Sequence, residues 1–256
     1  MKRSIVPIVL LTLLLCAPDA RTQTATTGAT TSNQRNQKSS FTEKLLKFLG
    51  ISDSPGTLKG PGDEVASGEV WIADLDSGTT RALTSGSGYR SPIFLAGTDE
   101  VLVLRGADVL RISLRGGESR KLYSLQGVLK LVASNPQDPA NILVLLRGQE
   151  AGRPRVGLAS VATGTVTIVP YDSGSSQDLQ MLENLQGWSR TYGDHYVFVR
   201  RQTRQALSGK VEWSEVFLQV DGGAPVDVSR CDGDNCGQPS LSEQQKFLVF
   251  IKSKAE

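Results

Sequence analysis

Histidine is nearly absent from this chain, with His195 alone, and only three cysteines, two methionines and 6% aromatic residues accompany it. A Ser-His-Asp arrangement needs a base beside an activated nucleophile, and no Gly-x-Ser-x-Gly elbow occurs anywhere. Asp194 is next to His195, but neighbours on a strand point to opposite faces, so His195 is expected to be a rim histidine at a strand entrance. No Walker-type lysine motif is present, and "GSGYR" from Gly86 lacks the third glycine and the following helix of a dinucleotide site. A dominant charge is missing too. Lys and Arg total 28 against 26 Asp and Glu, interspersed along the chain, which leaves no electrostatic footprint for nucleic acid. No internal apolar run approaches the roughly 20 residues that a membrane-crossing helix needs.

What is present begins at the N-terminus. "MKRSIVPIVLLTLLLCAPDA" carries Lys2 and Arg3, an apolar run from Ile5 to Leu15, then small residues around Ala17 and Ala20. This pattern predicts a secretory signal over 1–20. An uncleaved anchor and lipid attachment at Cys16 are the alternatives, the latter opposed by the bulky Leu15. Residues 21–40, rich in Thr, Ser and Gln, hold nothing apolar larger than alanine and are expected to be a flexible tether. Residues 41–51 follow Ser40 and include Glu43, a capping-box pair, with Phe41, Leu45, Phe48 and Leu49 on one helical face and Gly50 as a stop. They predict one short amphipathic helix, docked on the following domain or on a membrane surface or partner.

From Gly68 onward alternation replaces the helical period, with turn signals roughly every eight to twelve residues. Four segments read as one hairpin each: "VWIADLDSGTTRALT" from Val70, "VLRISLRGGESRKLY" from Val109, "RVGLASVATGTVTIVP" from Arg155 and "VFLQVDGGAPVDVS" from Val216. Between them stands a second unit in four copies: "YRSPIFLAGTDEVLVL" from Tyr89, "VLKLVASNPQDPANILVLL" from Val128, "LQGWSRTYGDHYVFVR" from Leu185 and "GQPSLSEQQKFLVFI" from Gly237. Its dense apolar runs, such as "EVLVL" and "KFLVFI", suit strands covered on both faces. A repeat of four strands over roughly 40 to 60 residues is the signature of a propeller blade. The expected fold is therefore all-β, a β-propeller of about four blades over 68–252, preceded by the short helix. The first hairpin lacks its first half and the last first half lacks its hairpin, so the N- and C-terminal strands are expected to clasp and hide two sheet edges. An open or self-associating assembly is the alternative.

The segments "VWIADLDSGTTRALT", "YRSPIF" and "DGDNCGQPSLSEQQKFLVF" resemble the repeats of the TolB-type, WD-like propeller family, and also the propeller half of dipeptidyl-peptidase-like hydrolases. The resemblance covers about Gly68 to Ile251. It departs from the family pattern at Leu241, at Glu243 to Gln245, and at Thr98 and Asp99, where an aromatic and an Asp-Gly pair are usual. It implies a fold far more than an activity, because one propeller fold hosts many unrelated functions.

"CDGDNC" leaves three readings open: a metal loop, a redox pair or a stapled turn. Counted from Asp232, the calcium-loop pattern fits Asp232, Asp234, Gly237 and Glu243, but its fifth position is Cys236 and a strand follows instead of a helix. A redox pair is usually Cys-x-x-Cys near a helix start. With Cys16 lost with the signal, Cys231 and Cys236 form an even count in an exported chain, which favours a disulfide-stapled turn between blades. The remaining features have bland readings. Asp74 with Asp76 and Asp99 with Glu100 suit reversals or exposed strand positions; Trp71, Trp188 and Trp213 suit packing better than a sugar platform. The basic cluster "VRRQTRQ" over Val199 to Gln205 is expected to be a solvated loop, with contact to an acidic partner as its alternative.

These readings converge on an exported protein, periplasmic or extracellular, that acts without catalysis as a protein-binding or scaffold module at a bacterial envelope. No cofactor is expected. The partner is another envelope or secreted protein and not nucleic acid, with membrane contact only through the N-terminal region. The alternative is metal-assisted or enzymatic chemistry at the loop face, with Asp232, Asp234 and Glu243 as the first residues to test.

Overall fold

The computed structural model describes residues 67–148, 155–169, 194–206 and 209–254. The expected signal (1–20), tether (21–40) and helix (41–51) lie outside the described residues. The strands, in chain order, are β1 (Glu69–Asp74), β2 (Thr79–Ala82), β3 (Tyr89–Phe94), β4 (Glu100–Arg105), β5 (Asp108–Ser113), β6 (Arg120–Ser124), β7 (Val128–Asn135) and β8 (Asp138–Leu146). They continue as β9 (Arg155–Ser160), β10 (Val166–Val169), β11 (His195–Ala206), β12 (Gly209–Val220), β13 (Val226–Asp227), β14 (Asn235–Leu241) and β15 (Phe247–Ser253).

The molecule is all-β among the described residues and consists of four antiparallel sheets, ordered β3-β4-β5-β6, β10-β9-β8-β7, β11-β12-β13 and β14-β15-β1-β2. All four hairpin units form, as β1–β2, β5–β6, β9–β10 and β12–β13. Three of the second units form as β3–β4, β7–β8 and β14–β15. The fourth contributes β11, its opening stretch from Leu185 lying outside the described residues.

The dense apolar runs are buried on both faces, and the pleat explains how. Along β4, Val101 and Val103 join Val70, Ile72, Ile112, Val249 and Ile251 in one core, while Leu102 and Leu104 point the other way to Val109, Leu131, Ile142 and Val144. All four β4 residues have no exposed surface. The β14-β15-β1-β2 sheet is sandwiched in the same manner. Val249 and Ile251 face the β3–β6 sheet, and Leu248 and Phe250 face Val216 of β12 with Cys231 and Cys236. The sheets thus stack in the order β7–β10, β3–β6, β14-β15-β1-β2, β11–β13.

The expected pairing of the two ends is observed. β1 runs antiparallel to β15 with Val70 opposite Ile251, Trp71 opposite Phe250 and Ile72 opposite Val249. Gly68 seals this seam. Its amide donates to the Tyr89 carbonyl at 2.9 Å, and a Cβ at this position would stand 2.2 Å from the Lys252 carbonyl oxygen, a distance no side chain tolerates.

The repeat extends to single hydrogen bonds. The Val70 amide donates to the Thr84 hydroxyl and the Val216 amide to the Ser229 hydroxyl, both at 2.9 Å, and the residues before those hydroxyls, Leu83 and Val228, donate back to the Val70 and Val216 carbonyls. A Ser or Thr that closes the hairpin unit therefore latches the start of its first strand. On β3 and β14 a second shared detail appears: Ser91 and Gln238, each followed by proline, have φ of 52° and 51°, left-handed values that cost a non-glycine residue about 1–2 kcal/mol. The Ser91 amide donates to Gln238 Oε1, so these two edge strands meet at their paired kinks.

Candidate interaction surface on the third sheet

The cysteine pair answers the first of the open readings. Cys231 and Cys236 are disulfide-bonded with Cα atoms 6.3 Å apart, and both are buried against Phe250, Leu248 and Val216. The bond closes the turn that leads from β13 into β14, so it staples the passage between two sheets.

The carboxylates nearby do not gather. Asp234 sits at the β14 entrance, with Oδ2 3.3 Å from Lys252 Nζ, while Asp232 is exposed in the turn with a φ of 53°. Glu243 is exposed beyond the other end of β14, about 20 Å away at roughly 3.3 Å per residue. A calcium loop coils back on itself; here the strand carries the last ligand of the pattern away from the others. Among the described residues no group of three or more His, Cys, Asp or Glu side chains is arranged to hold a metal ion.

His195 differs from the expectation drawn from strand geometry. Asp194 lies in the turn before β11 instead of on the strand, which frees its carboxylate to reach His195 Nδ1 at 2.8 Å. Asp221, across the β11–β12 ladder end, hydrogen-bonds Asp194, which holds the Asp194 carboxyl below its ordinary range with help from His195 and pushes Asp221 above its own. All three are surface groups. Beside them a cleft of about 300 Å³ opens between β1 and the β12–β13 turn, lined by Asp74, Leu75, Gly78, Val220, Val226 and Arg230.

The other carboxylates keep turn and strand roles. Asp74 Oδ1 accepts from the amides of Asp76 and Ser77 at 3.0 Å, and Glu100 pairs with Arg111 across β4 and β5. Trp71, on β1, donates Nε1 to Glu69 at 3.2 Å beneath the Lys252 ammonium. Trp213 lies on β12, in a different sheet, and Trp188 is outside the described residues.

The basic cluster requires a correction. Val199 to Gln205 is not a loop: it continues β11, paired residue by residue with β12 from His195 opposite Val220 to Ala206 opposite Gly209. Cross-strand partners share a face, and the two faces differ. On one, Val197, Val199 and Val216 enter the core, and farther out Arg201 lies 3.7 Å from Glu212, which also pairs with Lys210. On the other, aromatic rings and guanidinium groups alternate. Tyr196 and Phe198 stack at 5.4 Å, Phe198 and Phe217 at 5.8 Å, Arg200 sits 4.8 Å over the Phe217 ring, and Arg204 sits 5.9 Å over Trp213. Tyr196 is 54% exposed, and Arg200 and Arg204 are exposed too.

These ring contacts explain how a polar sequence holds a strand. A bare two-stranded ribbon is marginal in water, but each cation–π contact adds about 0.5–1 kcal/mol at an exposed site. The signal was present in "YVFVRRQTRQ" as Tyr196, Phe198, Arg200, Gln202 and Arg204 at period two; the polar Arg201, Thr203 and Gln205 in the alternate positions of the outer half hid it. Among the described residues neither Arg200 nor Arg204 pairs with a carboxylate, whereas Arg201 and Lys210 do. No protein-family model and no curated protein matches the chain.

Proposed function

We propose that the chain is an exported, four-bladed β-propeller of TolB-like type that acts without catalysis as a protein-binding or scaffold module at the bacterial cell envelope. Each sheet would be one blade, with β3, β7 and β14 as inner strands. The sharing of one sheet by β1 and β15 supports closure into a ring, because it is the seam such a ring requires. The observation that carries binding is the β11–β12 hairpin. Its outer residues Arg201, Thr203, Arg204, Lys210 and Glu212 are exposed on both faces, uncovered by neighbouring sheets among the described residues. A ribbon that does not build the core of its own molecule is available to another.

Affinity capture from native envelope extract tests this, with the wild-type chain and a variant whose hairpin is shortened between the paired Arg201 and Ser214 as baits. The expected result is one saturable protein partner, identified by mass spectrometry and rebound in purified form, retained by the first bait and lost or weakened with the second. Retention of nothing above background by the folded wild-type chain would overturn the reading.

A further inference from the structure

We infer that the aromatic and arginine face of the β11–β12 hairpin is a docking strip for an extended acidic peptide segment whose carboxylates stand four residues apart. The inference rests on the protein-binding reading and names the chemistry of the partner. Arg200 and Arg204 are four residues apart on one strand face, about 13 Å at 3.3 Å per residue. An extended ligand has the same rise, so acidic side chains at its first and fifth positions fall opposite the two guanidinium groups.

Each guanidinium is already oriented. Arg200 lies over the rings of Phe198 and Phe217, and Arg204 over Trp213, and a guanidinium stacked on a ring can still donate its N–H groups to carboxylate oxygens. Among the described residues neither makes an ion pair with a carboxylate, and the cross-strand partner of Arg204 is the uncharged Val211. Gln202 and Trp213, opposite each other between the two arginines, offer an amide and an indole surface to the ligand's third position, which suits an apolar side chain. A nucleic-acid backbone fits less well. Two guanidinium groups about 13 Å apart, with Glu215 opposite the first, give fewer cations than a run of successive phosphates needs.

The test is fluorescence anisotropy with the full chain and a labelled peptide of sequence Gly-Glu-Ser-Leu-Ser-Glu-Gly. Controls are the same peptide with Gln for both Glu, one with the two Glu brought two residues apart, and oligothymidylate. Saturable binding that weakens with added salt and prefers the four-residue spacing is expected. Arg200→Gln and Arg204→Gln should each weaken it about fivefold, the size of one exposed charge-assisted contact, and Arg204→Lys by less. Should Arg200→Gln unfold the hairpin, Arg204→Gln, farther from the core, decides alone. The inference is overturned by equal affinity for the Gln peptide, by unchanged affinity in a folded double variant, by tighter binding of oligothymidylate, by hairpin-dependent self-association in place of peptide binding, or by no saturable binding. If the peptide fails while a captured protein partner still binds, the docking strip falls and the protein-binding reading survives.

Discussion

At the scale of single residues, Glu215 shows how a side chain can be held at some cost. Burial raises its carboxyl above the ordinary glutamate range, and the carboxylates of Asp227 on β13 and Asp232 in the following turn push in the same direction. Trp213 Nε1, donating at 2.8 Å, opposes them. A raised folded-state value means that the group favours folding below the glutamate range and loses that contribution as pH rises through the folded value. Glu215→Gln, which keeps an acceptor for Trp213, should therefore raise the melting temperature at neutral pH, with the gain vanishing below about pH 4, as followed by thermal unfolding across pH. The disulfide makes a second residue-scale case. Cys231→Ser with Cys236→Ser removes a short loop closure and leaves two hydroxyls among Phe250, Leu248 and Val216. A loss of about 2–4 kcal/mol is expected in urea unfolding, and chelators should leave the wild-type midpoint where it is.

At the scale of elements, the hairpin β11–β12 separates what holds the fold from what stands outside it. Val197, Val199 and Val216 tie its base to the core and Ser214 donates to Asn235 and to the Cys236 carbonyl of β14, while farther out the ion pairs of Glu212 and the Arg204–Trp213 contact stay within the hairpin. Replacing Gln202 to Trp213 with a short Asn-Gly turn, which joins the paired Arg201 and Ser214, should change unfolding free energy by less than about 1 kcal/mol, since surface changes away from core features are usually small. Circular dichroism melting of that variant checks it. This is also where the sequence was hardest to read. Dense apolar runs such as Val101 to Leu104 declare a strand because their burial demands it. Val199 to Gln205 is polar on both faces in its outer half, and its strand character comes from Arg–aromatic contacts across the ladder that one strand's sequence does not display. Asp194 is a similar case, because whether it meets His195 depends on which side of a strand boundary it falls.

At the scale of the molecule, the alternation of two β units and the joining of the ends could be read from the pattern of "VWIADL", "EVLVL" and "KFLVFI", since each apolar run needs cover on both faces. The latch hydroxyls Thr84 and Ser229 and the left-handed Ser91 and Gln238 could not, because their roles depend on partners far along the chain. The most heavily loaded site is Phe250, fully buried between two sheets. Phe250→Ala should cost about 3–5 kcal/mol and, by loosening β15, should expose β1 to hydrogen exchange together with it.

The pairing of β1 with β15 also sets an order of events. The β3–β6 and β7–β10 sheets are contiguous in sequence and can form while later residues are still being made. Val70 and Ile72 have no such freedom: their partners, Ile251 and Val249, lie far along the chain and are made after both of those sheets. Until then β1 is a strand with an open edge and apolar residues on both faces, a condition that invites pairing with other chains. The seam therefore makes β1 wait for β15, and a chain cut short before Phe247 would keep most of its sheets while leaving β1 permanently unmatched.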